Sequence, residues 1–411
     1  MTRSTTSDLP TSWLWVLALL TAVGPLSVDM YLPAFPTMAT ELHAAPSSMQ
    51  LTLTTFMIGM ASGQLVGPLS DRWGRRRLLL AGTILCTGAS IACALAPSVE
   101  SLAAFRFVQG FGGAAGVVLS RAMVADRAAG AVAARIFSLM MIINGAAPIV
   151  APLIGGNLVA LIDWRGLFWI LTALGVVMVL GATFVLAETH PSANRSTDGL
   201  RATLREAGSV LVERQYIGYT LTFAFGFSVM FAFISASPFV MQTILGLSTV
   251  GNGFAVAANA FGLLAVNALN ARLVGRFGQR RLLGTGVTLL VVFSGLVLVD
   301  AIVGPVAWVL IPLTWCAVSS LGLVVANATS LALDRAHEVA GTGSAVLGLF
   351  QYALAATVAP LVGLHGSGTA IPMAITMTAC ALTAAVALTV ARTGSATTAL
   401  TDPTPQEPPT S

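Results

Sequence analysis

Charge is what this sequence has least of. Asp, Glu, Lys and Arg make up 9% of its 411 residues, against about 25% in ordinary soluble domains. Hydrophobic residues reach 56% and the mean hydropathy is +0.87, which excludes a soluble globular fold and leaves an all-α polytopic membrane protein. Lysine is absent altogether: all twenty basic residues are arginines. They fall in short segments between apolar runs, so the pI near 9.2 points to membrane topology and to no nucleic-acid partner. Cysteine is scarce too. Cys86, Cys93, Cys316 and Cys380 all lie inside apolar runs, with no C-x-x-C and no Cys/His spacing for a metal, and read as small buried residues. His43, His190, His337 and His365 fall in or beside loops, and none has a second ligand at helical spacing. There is no H-E-x-x-H, no acidic cluster, no Ser/His pair within the apolar runs and no Walker-type phosphate loop. An integral membrane enzyme and ATP coupling within this chain are thereby disfavoured, and no cofactor is expected.

Long apolar runs are what the chain does have. At about 20 residues per crossing they predict twelve spans, at 13–34, 49–70, 77–96, 101–122, 135–159, 166–187, 215–241, 250–271, 281–302, 305–330, 340–364 and 369–391. The N-terminus lacks a charged-then-apolar-then-small cleavage pattern, so 13–34 reads as an uncleaved first span. The one long polar connection, 188–214, separates two bundles of six, 13–187 and 215–391, flanked by tails at 1–12 and 392–411. The Thr- and Pro-rich second tail is expected to be disordered. With both termini in the cytoplasm, eighteen of the twenty arginines fall on that side, which fixes the orientation in a cell (inner or plasma) membrane. Only Arg165 falls in an outer loop, and only Arg106 within a span.

The densest charge is in the turn Gly67-Pro-Leu-Ser-Asp-Arg-Trp-Gly-Arg-Arg-Arg77, and it recurs. Leu69-Ser-Asp-Arg-Trp-Gly-Arg-Arg-Arg-Leu-Leu79 returns as Leu273-Val-Gly-Arg-Phe-Gly-Gln-Arg-Arg-Leu-Leu283. Asp126-Arg-Ala128 returns as Asp334-Arg-Ala336, and Ala151-Pro-Leu-Ile-Gly155 as Ala359-Pro-Leu-Val-Gly363. Each half is therefore a copy of one six-helix unit, giving two pseudo-symmetric bundles. Gly275 stands where the first copy has Asp71, so whatever Asp71 does belongs to the first half. Asp71 is placed either to pair with arginine or to cap the next helix.

Asp29 is the only acid well inside a span, about 24 Å along the helix from Trp13. Arg106 enters the fourth span from the outside and lies about 8 Å in. The two sit at similar depth, which invites an ion pair or a shared water cluster. Such an acid in a wet cavity can load and release a proton; the bland reading is a static Asp–Arg strut, and the two are compatible. Pro148 and Pro152 break the helix ladder of the fifth span, and Gly155-Gly156 permits close packing.

The motifs resemble those of the major facilitator superfamily. Gly67, Leu69, Asp71, Arg72, Gly74, Arg75, Arg76 and Arg77 match its G-x-L-x-D-R-x-G-R-R-R turn. Arg106-Phe-Val-Gln109-Gly110 is similar to its R-x-x-Q-G motif, whose arginine is implicated in proton transfer. Asn144 to Gly156 looks like the helix-five antiporter motif of exporters, with Ala147 and Ala151 in place of glycines. Val28-Asp-Met-Tyr-Leu-Pro-Ala-Phe-Pro36, Gln50–Thr55 and Asp163-Trp-Arg-x-x-Phe168 resemble the bicyclomycin- and chloramphenicol-resistance (Bcr/CflA) branch of drug:proton antiporters.

The resemblance implies the major facilitator fold, with bundles rocking about a midplane cavity. It also implies Asp29 and Arg106 in proton coupling, the proton being the coupling ion, and a cytoplasmic latch. In that latch Arg72, Arg75, Arg76 and Arg77 reach Asp71 and Asp126 and favour the outward-open state; the competing reading gives the arginines a topological role alone. Cavity candidates are Met30, Tyr31, Met57, Gln109, Asn144, Tyr219, Phe223, Phe227, Met230, Phe231, Asn259, Gln351 and Tyr352. Aromatic and Met side chains suit flat or apolar drugs, although interhelical packing competes for each. The expected function is export of small, largely apolar antibiotics, chloramphenicol- or bicyclomycin-like, by a monomer in the bilayer. A proton-coupled metabolite symporter of the same fold is the alternative.

Overall fold

The computed structural model describes residues 10–128, 130–191, 200–336, 339–363 and 368–399. The first half holds α1 (Thr11–Asp29), a 3-10 turn Leu32–Ala34, α2 (Phe35–Glu41), α3 (Pro46–Gly63), α4 (Val66–Trp73), α5 (Arg75–Ala94), α6 (Val99–Arg127) and α7 (Gly130–Phe184). A cross-helix α8 (Leu200–Val212) follows within the expected linker. The second half holds α9 (Arg214–Pro238) with a π turn Phe239–Ile244, α10 (Thr249–Phe277), α11 (Gln279–Val303), α12 (Ala307–Arg335), α13 (Ala340–Val362) and α14 (Ile371–Ala399). Most of the expected tail lies outside the described residues, as do His337 and His365.

Among the described residues, eleven helices are long and apolar enough to cross a membrane. The long α7 contributes two of them, Leu139–Val159 and Leu161–Phe184, and is kinked at Asp163 (φ 60, ψ 167), near the start of the second. The Asp163 carboxylate then accepts the Trp164 N–H at 2.6 Å and restarts the helix. The twelfth crossing is α3 with α4, where Ser47, Gln50, Thr52, Thr54 and Thr55 dilute the apolar character. It is protected from lipid by packing between α6 of its own half and α13 of the other.

The repeat seen in the sequence is a repeat of backbone. Gly74 (φ 93) precedes α5 and Gly278 (φ 77) precedes α11, in conformations that side chains rarely adopt. Each glycine N–H closes the preceding helix at 2.9 Å, on Ser70 O and on Val274 O. Each half has its own apolar core, and Phe231, Phe239, Ala355, Ala356 and Ala359 of the second half join the core of the first. The halves meet along α3 with α13 and α7 with α10.

Candidate functional site

Arg106 is the centre of the first half. It is completely buried, and its guanidinium lies 4.3 Å from the Tyr31 ring centre and 4.2 Å from that of Phe56. Gly110 makes this cage possible, because a Cβ there would collide with the Phe56 carbonyl carbon at 3.0 Å and the Met60 nitrogen at 3.2 Å. Two aromatic faces attract a desolvated cation by about 2 kcal/mol or more. Arg106 Nη1 donates to Gln109 Oε1 at 2.5 Å, and Gln109 Nε2 donates to Ser90 Oγ at 2.7 Å. Gln109 is therefore taken up by the arginine and does not line an open cavity. Nε and Nη2 of Arg106 meet no acceptor among the described residues. Beside this chain, Ser27, Thr83, Thr87 and Ser90 line a cavity of about 10 Å³, the scale of one water molecule.

The expected Asp29–Arg106 ion pair is not formed. Asp29 is 4% exposed, and no described residue bonds to its carboxylate. The reason is local: α1 ends at Asp29, and the turn that follows places Tyr31 over the arginine. The Tyr31 hydroxyl is 3.2 Å from Thr52 Oγ1, which ties α3 to the same turn.

The helix-five motif joins three helices at this level. A Cβ on Gly155 would overlap Met30, with Met30 Cα only 3.2 Å away, so the chain just after Asp29 rests on that glycine. A Cβ on Gly156 would stand 3.0 Å from Thr249 O, and one on Gly253 would stand 2.7 Å from Pro152 O. Gly155 thus packs α7 on α1, while Pro152 and Gly156 pack it on α10 of the second half. Pro148 lies one turn earlier in the same helix, and Asn144 spends its Nδ2 on Met140 O at 3.0 Å.

The remaining cavity candidates divide. Phe223, Phe227 and Phe231 stack along α9 with centroids 6.5 and 5.9 Å apart, and Tyr352 of α13 meets Phe227 edge-on at 6.4 Å. Phe227 and Tyr352 are half-buried and pack against the core of the first half, so they lie between the halves. Gln351 and Met230 are half-buried. Tyr219 and Phe223 are buried in the second core, and Met30, Tyr31 and Met57 in the first. Those five serve packing in this conformation. Asn259 is buried, with Nδ2 on Ala255 O at 2.9 Å and Oδ1 unpartnered.

At the arginine-rich end, Arg75 alone does the work expected of four arginines. Its Nη1 is 2.6 Å from Asp71 and its Nε 3.2 Å from Asp126, and Nη1 also donates to Ser70 Oγ and, at 3.4 Å, to Gly67 O. Arg76 donates to Leu186 O at 2.7 Å and Thr183 O at 2.6 Å. Arg72 and Arg77 are exposed, and among the described residues neither pairs with an acid. Glu188 was not singled out in the sequence, yet its carboxylate accepts the N–H groups of Arg75 (3.0 Å) and Arg76 (3.3 Å) and so caps α5. Asp71 therefore pairs with arginine and leaves the cap to Glu188. The signal for Glu188 was faint: a single acid just past the end of a span. Arg127 donates to Glu188 O at 3.0 Å, and Thr189 Oγ1 to Asp126 at 2.7 Å. The whole network stays within the first half, so it is not a latch between halves in this conformation.

The sequence profile of the Major Facilitator Superfamily matches residues 17–360. The chain belongs to that superfamily. It is 37% identical to the uncharacterized MFS-type transporter YdgK of Bacillus subtilis over 371 residues, covering 88% of this chain and 91% of that one. It is 31% identical to a bicyclomycin resistance protein homolog of Haemophilus influenzae over 90% of this chain and 94% of the relative. The multidrug resistance protein MdtL of Escherichia coli is 29% identical over 80% and 82% of the two chains. A bacterial homolog of the lysosomal transporter Spinster, solved inward-facing, shares the fold with a TM-score of 0.72 at 17% identity, over 98% of this chain and all of that one (100%). The superfamily member described here is thus a multi-pass transporter and not an enzyme. Its resemblance to the bicyclomycin-resistance branch agrees with these relatives.

Proposed function

We propose that this transporter exports small, largely apolar antibiotics in exchange for protons, with Asp29 as the proton carrier. The observation that carries the reading is an acid buried without an ion-pair partner, two residues before the Tyr31 ring that covers Arg106 and on the turn that touches the helix-five motif. The names of its relatives, bicyclomycin resistance and multidrug resistance, support the substrate class. The protein works as a monomer with both termini in the cytoplasm, the side to which the arginines assign the Gly74 and Gly278 turns. In that orientation the opposite, outer end is held shut between the halves. Gln242 Nε2 donates to Pro33 O at 3.0 Å and Gln50 Nε2 to Ser235 O at 3.3 Å. The outer end is therefore closed in this conformation, and alternating access requires these two bonds to break.

Everted vesicles from cells lacking their own pumps test the reading. Acidification of the vesicle lumen should drive uptake of chloramphenicol- or bicyclomycin-like compounds, and collapsing the proton gradient should abolish it. Uptake that persists without a gradient, or substrate movement down the proton gradient in the same direction as protons, would replace exchange with another mode.

A further inference from the structure

The two repeats build the same glycine turn with different complements of acid. In the first half, Glu188 caps the start of α5, and Asp71 and Asp126 pair with Arg75. In the second half Gly275 replaces Asp71, and the end of α14 brings Arg392, where the end of α7 brings Glu188. Arg392 Nη2 donates to Arg280 O at 3.4 Å, adding a cation to the first turn of α11. Arg276, Arg280 and Arg281 are exposed, and none pairs with a described acid; Asp334 on the neighbouring α12 stays apart from them. An open cleft of about 630 Å³ lies there, lined by Arg280, Arg281 and Gln279 together with Val274, Phe277 and Leu331.

We propose that this cleft holds the phosphate of an anionic phospholipid from the adjoining leaflet. The lipid phosphate would supply, at the second turn, the negative charge that the three carboxylates supply at the first. The turn joins two membrane-crossing helices, so headgroups meet it directly. Phe277 (43% exposed) lines the cleft with the cations, and Leu269 (48%) is exposed about two turns earlier on α10. That pairing of charge with apolar surface fits a ligand with an anionic head and an acyl tail, which a free anion is not. Near an anionic surface each arginine strengthens attraction by about fivefold, and a pair by about 30-fold.

The test is native mass spectrometry of the full-length protein from micelles containing phosphatidylglycerol and phosphatidylcholine in equal amounts. The wild type should retain phosphatidylglycerol preferentially. The double variant Arg280→Gln/Arg281→Gln should lose that preference by about 30-fold. Arg280→Lys/Arg281→Lys should keep most of it, because phosphate accepts point charges, and this separates lost charge from lost fold. Arg72→Gln/Arg77→Gln, the same charge change beside the turn that carries three carboxylates, should lose much less of the preference. Equal loss in that control, absence of preference in the wild type, or displacement of the lipid by millimolar inorganic phosphate would overturn the assignment.

Discussion

The guanidinium of Arg106 stands 4.3 Å from the ring centre of Tyr31, and Asp29, two residues earlier in the chain, is left without a cationic partner. Opposite charges in an apolar bundle would ordinarily find each other, since each reduces the other's burial cost. Here two aromatic faces satisfy the cation and the carboxyl is held free. A carboxyl locked into an ion pair resists protonation, whereas an unpaired one is open to it.

Asp29→Asn should reach the membrane in normal amounts and abolish gradient-driven efflux, because the amide cannot titrate. Asp29→Glu should retain part of the activity, having moved the same group by about one methylene. Proton release on substrate addition, followed with a pH dye in detergent, checks the assignment. Release of wild-type size from the Asn variant would remove Asp29 from the coupling step.

Tyr31 should matter as a ring more than as a phenol. Tyr31→Phe loses only the hydroxyl contact with Thr52 at 3.2 Å, a cost of about 1 kcal/mol. Tyr31→Leu removes one wall of the arginine cage and should cost about 2 kcal/mol or more, with Arg106 freed to capture Asp29. Thermal unfolding in detergent should place Phe near the wild type and Leu well below it, and efflux should follow the same order. Comparable losses in the two variants would argue against the cage.

The sequence made the helices, the repeat and the glycine turns legible because each rests on local chemistry: runs of apolar residues, a period, a conformation only glycine adopts readily. Arg75, Asp71 and Asp126 met as expected for the same reason, all lying at helix ends near one turn. What remained hidden depended on rotation and on distant chain. Depth along the helix put Asp29 level with Arg106, but the end of α1 after Asp29 decided which side chain faced the cation. Glu188 reaches Arg75 from 113 residues away, and no spacing rule announces that. Aromatic residues at cavity-like spacing, such as Tyr219, turned out to be core because apolarity alone does not tell a cavity wall from a packed interior.

Glu188 should outweigh Asp71 in holding the arginine-rich end. Its carboxylate accepts four backbone N–H groups, of Arg75, Arg76, Thr189 and His190, whereas Asp71 supplies one partly solvated ion pair. Loss of a helix cap costs about 1 kcal/mol, and an exposed pair about 0.2–1 kcal/mol. Glu188→Ala should therefore lower thermal stability more than Asp71→Asn does and should slow transport further. If Asp71→Asn proves the more damaging of the two, Asp71 has a partner in another state of the cycle that this conformation does not contain.

Gln242 and Gln50 should act as the outer gate. Each spans the two halves with a single amide-to-carbonyl bond, Gln242 to Pro33 and Gln50 to Ser235, and a net contribution of about 1 kcal/mol apiece is enough to shift a balanced two-state equilibrium about fivefold. Removing them favours the outward-open state. Ala359 reports the change, because it is fully buried in the core shared by the halves when the outer end is shut. On a background with Cys86, Cys93, Cys316 and Cys380 replaced, Ala359→Cys should react slowly with an impermeant maleimide added from outside. Adding Gln242→Ala should raise that rate about fivefold, and Gln50→Ala together with it about 25-fold if the two bonds act independently. Gln242→Glu serves as the control for size: it keeps the side chain's length, cannot donate to the Pro33 carbonyl when ionised, and should open the gate at least as far. Unchanged labelling in all three variants would mean that the packing of α3 on α13 and α7 on α10 closes the outer end without these amides.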